Sequence, residues 1–136
     1  MYIKELHEKL SQLNSEIEEM LNITKYKDDF SLSTVTYDHA NADDTMLYNE
    51  FCSIFTHFDY VHTALNYLSQ PVTQEGILHF VGDGKHTMNG IDLNPDNLVE
   101  ILLYDEETHT LQWRPILLHK KSNYDGKKAR IRHYKK

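Results

Sequence analysis

The stretch LNYLSQPVTQEGILHF, residues 65–80, holds the point at which the chain changes its hydrophobic period. Leu65 and Leu68 close a series that begins at Leu47 and runs through Phe51, Ile54, Phe58 and Val61, spaced 4, 3, 4, 3, 4, 3. That is the seam of a heptad-patterned helix. Asp43, Asp44 or Thr45 is expected to cap it, with the carboxylates opposing the positive end of the helix dipole, and Ser69-Gln70-Pro71 ends it. Beyond Pro71 the helical spacing is gone. Short runs suited to strands, Gly76–Val81 and Lys85–Met88, are separated by Gly82-Asp83-Gly84, Asn89-Gly90 and Asn94-Pro95-Asp96. Longer runs follow at Leu98–Tyr104, Leu111–His119 and Ala129–Tyr134, with turns at Asp105-Glu106-Glu107 and Asn123-Tyr124-Asp125-Gly126. Asn-Gly and Asp-Gly between apolar runs are hairpin signals, because both residues tolerate positive φ. About five short strands in this span predict a small barrel or a strongly bent sheet, and Pro115 belongs at an edge or a bulge.

Upstream, Tyr2–Ile23 carries a second seam at Ile3, Leu6, Leu10, Leu13, Ile17 and Met20, again in a coiled-coil spacing. So narrow a stripe needs a partner. It either packs on the second seam as an antiparallel pair or meets its copy in a second chain as a homodimer through the first helix. Thr24–Asp44 has no helical period, and Phe30–Asp38 reads as a short strand or an ordered loop. The predicted fold is α+β: two N-terminal helices packed with a small C-terminal antiparallel sheet or SH3-like barrel. Residues 1–70 form the helical region and residues 71–136 the short-strand region. The link between them is too short for free motion, so the two are expected to form one cooperative unit.

The chain has 136 residues, with 21 Asp and Glu against 14 Lys and Arg for a formal charge of −7, and a single cysteine, Cys52. No run of about 18 apolar residues is present to span a bilayer, and MYIKELHEKL lacks the features of a signal peptide, so a cytoplasmic protein is expected. One cysteine forms no internal disulfide and supplies no four-thiolate zinc site. The net charge conceals an asymmetry. Residues 120–136 carry +7, which leaves −14 on residues 1–119, spread as −8 over residues 1–70 and −6 over residues 71–119. An extended negative field of this kind repels phosphate and steers a basic partner surface.

Chemistry is sparsely signalled. The nine histidines do not fall in metal-ligand spacing: His57 and His62, five apart, lie about 140° apart around a helix. Convergence of His79, His86, His109 and His119 is not readable from spacing. Neither a metal nor another cofactor is expected. Cys52 reads as a small hydrophobe in a helix, and the chain contains no GxSxG elbow, phosphate-binding loop or dinucleotide fingerprint. An enzyme is not expected. The last strand alternates Ala129 and Ile131 with Arg130 and Arg132, flanked by Lys127, Lys128, Lys135 and Lys136. These cations either contact a polyanion or are neutralised by the acidic remainder of the chain.

The C-terminal half, with Gly76 and Leu78, Leu93, Val99-Glu100-Ile101-Leu102, Trp113 and Gly126 followed by Ala129-Arg130-Ile131-Arg132, resembles a family of uncharacterised small domains of Gram-positive mobile elements. The resemblance implies habitat and fold more than mechanism. In that setting a small acidic protein binds host machinery, and an anti-CRISPR inhibitor acting as a DNA mimic on a CRISPR effector nuclease is the form the analogy takes. The leading expectation is therefore a non-enzymatic protein that occludes a basic, nucleic-acid-binding surface of a host protein through Asp43, Asp44, Asp105, Glu106 and Glu107. The alternative is a small nucleic-acid-binding regulator that uses Lys127, Lys128, Arg130, Arg132, Lys135 and Lys136. No membrane partner is expected.

Overall fold

Apolar residues at helical spacing give α1 (Ile3–Ile23) and α3 (Ala42–Ser69), with the four-residue α2 (Tyr26–Asp29) between them, in a computed structural model that describes residues 1–82, 84–95, 97–118 and 124–132. Six strands follow: β1 (Gln74–Gly82), β2 (Lys85–Met88), β3 (Ile91–Leu93), β4 (Leu98–Asp105), β5 (Thr110–Leu117) and β6 (Lys128–Ile131). The fold is α+β, with helices in the N-terminal half and an antiparallel sheet in the C-terminal half. The chain divides into two compact units, Met1–Ser69 and Gln70–Lys136. Each has its own buried core.

In the helical unit, α1 and α3 run antiparallel: Asn14 meets His62 and Asn66, while Tyr26, just beyond α1, meets Phe55 and Thr56. Ile17, Leu21, Tyr26, Leu32 and Phe55 form the core. One sequence expectation is corrected at the start of α3. Helix begins at Ala42, so the cap is Asn41 and not Asp43, Asp44 or Thr45. Its Oδ1 accepts the N–H groups of Asp43 at 2.9 Å and Asp44 at 3.2 Å, which would otherwise be unpaired at the helix end. The segment before it is a loop without a strand. Asp29 anchors it, accepting from the Ser31 N–H and the Ser33 hydroxyl, and these hydroxyl partners hold its carboxyl below the usual carboxylate range.

The sheet order is β3-β2-β1-β6-β4-β5, antiparallel throughout. Among the described residues no ladder joins β3 to β5, so the sheet is open and not a closed barrel. It buries one face on itself. Met88 of β2 and Leu93 of β3 share a cluster with Val99 and Ile101 of β4, which requires the two wings to curl toward each other around Leu78, Ala129 and Ile131. The Asn89-Gly90 turn between β2 and β3 has φ of 55° and 75°, as a tight hairpin demands. Gly76 is fixed by contact: a Cβ there would lie 2.4 Å from Asn89 Oδ1, whose amide nitrogen donates to the Glu75 carbonyl. Pro115 lies on edge strand β5, where its missing N–H leaves no ladder bond unmade.

Candidate functional site

The basic strand comes first because the structure places its cations most fully. Ala129 and Ile131 point into the core at 0% exposure, so period two turns Arg130 and Arg132 to the other face. Glu100 lies there too, since its neighbours Val99 and Ile101 are both buried in the core. Register does the rest. Arg130 is directly opposite Glu100 on β4 and opposite Glu75 on β1, so a row of Glu75, Arg130 and Glu100 crosses three strands. Arg130 Nε donates to Glu100 Oε1 at 2.5 Å, and Arg132 Nε donates to Oε2 at 2.8 Å. One carboxylate, its side chain 4% exposed, thus holds both guanidinium groups. Arg132 also donates to the Gln70 carbonyl, and the Arg130 guanidinium lies 4.2 Å from the Trp113 ring centroid. Lys128 forms an exposed pair with Glu75 at 3.2 Å, of little energetic weight, and Lys127 is exposed. Lys135 and Lys136 lie outside the described residues. The two arginines proposed from sequence as polyanion ligands are therefore engaged within the sheet.

The five acids proposed for partner binding divide in two. Asp105 is not a free turn-tip charge. Its Oδ1 accepts the N–H groups of Glu107 and Thr108, and Oδ2 accepts from Gln112, so it shapes the turn between β4 and β5. Asp44 is half-buried and accepts the Asp38 N–H at 3.2 Å. Asp43, Glu106 and Glu107 are exposed. Asp43 and Asp44 belong to the helical unit and the other three to the sheet unit.

A third surface was only half visible in the sequence. With heptad letters counted from Ile3 and Phe51 as a, the helices meet through a and e positions: Ile17, Leu21 and Asn14 from α1, and Phe58, Leu65, Phe55 and His62 from α3. Most of the d residues do not follow them inward; Val61 of α3, packed on the core, does. Leu6, Leu13 and Met20 of α1 remain 40–45% exposed, as do Leu47, Ile54 and Leu68 of α3. The two helices thus pack as the antiparallel pair expected from their seams, with part of each seam left open. Because the helices are antiparallel, the d flank of each falls on the same side of the hairpin, giving one apolar face.

Between the helices sits a closed polar ring. His62 Nδ1 bonds Asn14 Oδ1 at 3.0 Å, Asn14 Nδ2 donates to Asn66 Oδ1 at 2.9 Å, and Asn66 Nδ2 donates to His62 Nε2 at 3.0 Å. All three bonds are satisfied together by a neutral imidazole that carries its proton on Nδ1. Its only local trace is His62 and Asn66, one helical turn apart on α3; Asn14 comes from the other helix.

The remaining candidates are scattered. His57 bonds the Ser53 carbonyl, one turn back on its own helix; Cys52 is half-buried beside the helical core. His86 is buried, His79 is exposed and His109 bonds the Tyr104 hydroxyl, while His119 lies outside the described residues. Among the described residues no three His, Cys, Asp or Glu side chains are grouped to hold a metal ion. A pocket lined by Gln74, Met88, Ile91 and Leu93 has a volume of about 30 Å³, room for about one water molecule. No described helix is long and apolar enough to cross a membrane. No family model, curated protein or solved structure matches this chain.

Proposed function

We propose that this chain is a non-enzymatic binding protein of a mobile element that covers a basic, nucleic-acid-binding surface of a host protein, with a CRISPR effector nuclease as the class to test first. One observation carries this reading: Glu100 engages Arg130 and Arg132 inside the sheet, while Asp43, Glu106 and Glu107 face outward. Arg130 and Arg132 are held by Glu100, so counted together with residues 1–119 they leave a net charge of −12 to set the field that a partner meets there. Such a field repels phosphate and accelerates encounter with a cationic groove, an effect that weakens with salt.

The test is competition on the nuclease. Increasing amounts of the chain should release DNA from the effector in a gel-shift assay, and Glu106→Lys with Glu107→Lys should slow association about tenfold or more at low salt. Unchanged association would remove the β4–β5 turn from the reading. In the same assay without the nuclease, duplex DNA alone should not be retarded. Retardation that falls steeply with salt would instead favour a nucleic-acid regulator acting through Lys127, Lys128 and the last residues.

A further inference from the structure

We propose that the outward apolar face of α1 binds the same face of a second copy of this chain, the two α1 helices running antiparallel about a two-fold axis beside Leu13. The argument starts from what the hairpin leaves uncovered. Asn14, Ile17 and Leu21 of α1 are turned toward α3, yet the d positions Leu6, Leu13 and Met20 keep two-fifths of their surface exposed along the length of the helix. Ile3 and Ile23 extend the stripe at either end, with 78% and 67% exposure. Leu68, a d residue of the adjoining part of α3, widens it at 45% exposure.

Charge selects the occupant. The g positions that border the stripe on its open side hold Lys9 and Glu16, both exposed, of opposite sign and one heptad apart. In antiparallel helices g faces g of the partner. A two-fold axis passing midway between positions 9 and 16 therefore sets Lys9 against Glu16 of the partner subunit, and Glu16 against the partner's Lys9. The same axis places Leu13 against its own copy and Leu6 beside Met20 of the partner subunit. A parallel pairing would direct Lys9 and Glu16 toward Asn14 and Leu21, the e positions already turned toward α3. The surface is thus its own complement in one orientation only.

The area sets the strength. The exposed parts of these side chains amount to on the order of 600 Å² per copy, so the pair buries on the order of 1,200 Å², at the lower limit of specific interfaces. An interface of this size fits a weak, concentration-dependent dimer. The proposal is independent of the function proposed above, since it uses neither the acidic turn nor the sheet.

Sedimentation equilibrium of the full chain, from low micromolar to near-millimolar concentration, should move from the 16.1 kDa monomer to twice that mass. Leu13→Glu should hold the chain at monomer mass while its helical circular dichroism is unchanged. Lys9→Glu and Glu16→Lys should each raise the dissociation constant about tenfold, and the two together should restore it to near the starting value, because both reciprocal pairs re-form with reversed sign. The swap stays decisive even if Leu13→Glu fails to fold, since both of its sites are exposed. A disulfide formed readily by Leu13→Cys but not by Leu6→Cys, each with Cys52→Ser, would support the antiparallel sense. The proposal is overturned by a chain that stays monomeric throughout, as when another segment or a foreign partner covers the face. It is equally overturned by a double swap no better than either single change, or by equal disulfide formation at both positions.

Discussion

In the sheet unit Leu78, Val99, Ile101, Ala129 and Ile131 retain no exposed surface, whereas in α1 Leu6, Leu13 and Met20 retain 40–45%. The two units also dispose of polar groups differently. On the back of the sheet a buried carboxylate is saturated by two guanidinium groups and a row of alternating charge crosses three strands. In the hairpin the buried polar groups are neutral, a histidine and two amides closed into a ring. A curled sheet satisfies its own apolar face. This pair of helices does not, because part of each apolar stripe lies outside the contact between them. The sheet unit therefore reads as self-sufficient and the hairpin as a surface with a use still to be filled.

The sharpest way to break that contrast is at Glu100. Glu100→Ala removes the carboxylate that holds both Arg130 and Arg132, whose side chains are 21% and 17% exposed. Loss of one partner from a buried pair costs about 3–5 kcal/mol, which is a large part of the stability of a small domain. Urea unfolding followed by Trp113 fluorescence should report the full loss. Glu100→Ala together with Arg130→Met and Arg132→Met should recover most of it, since apolar residues of similar volume are often as good as a buried ion cluster. A single change that costs no more than an exposed pair would refute the view that the tail's arginines are structural.

In the hairpin the corresponding change is His62→Ala, expected to cost about 2–3 kcal/mol by removing the partners of Asn14 Oδ1 and Asn66 Nδ2 and opening a small void. Thermal unfolding followed at the helical band measures it. His62→Leu with Asn14→Leu and Asn66→Leu should be at least as stable as the parent, but with a less sharply defined helix register, as broadened amide resonances would show. If His62→Ala were without effect, the ring would be decoration on a contact held by Ile17, Leu21 and Phe55 alone.

The difference between the units also explains what was legible in the sequence. The long helices, the Asn89-Gly90 turn and the strands of the second half follow from period and turn chemistry, which are local properties. Edge placement of β5 was legible from Pro115 for the same reason. The four-residue α2 was not, because one turn bounded by Lys25 and Phe30 at φ of 54° and 55° has no room to display a period. Nor was the division of each seam into an inward a/e half and an outward d half. A heptad reading counts Leu13 and Ile17 as equals, and only the rotation of α1 against α3 separates them. The role of Glu100 escaped for a third reason: its partners are 30 and 32 residues away and become neighbours through strand register alone. Long-range pairing of charges leaves no periodic trace.

The smallest predicted effect tests whether the sheet core holds any group at a cost. His86 is buried on the inner face of β2, beside Phe80, and burial pushes its imidazole below its ordinary value of 6.5, while the Asp125 carboxylate acts weakly the other way. The folded state therefore favours the neutral ring. Above pH 6.5 neither state binds the proton and the residue adds no pH dependence. As pH falls below 6.5 the unfolded chain protonates first, so stability declines until the lower folded value is reached, with a slope of at most about 1.4 kcal/mol per pH unit. Urea midpoints at neutral and mildly acidic pH should show this decline in the parent chain and a shallower one in His86→Leu. Asp125→Asn should steepen it, because a nearby charge that favours the imidazolium is removed. Equal slopes in all three would mean that the proton is taken up in the folded state as readily as in the unfolded one. The inner face of the sheet would then be as tolerant of charge as the hairpin's open side.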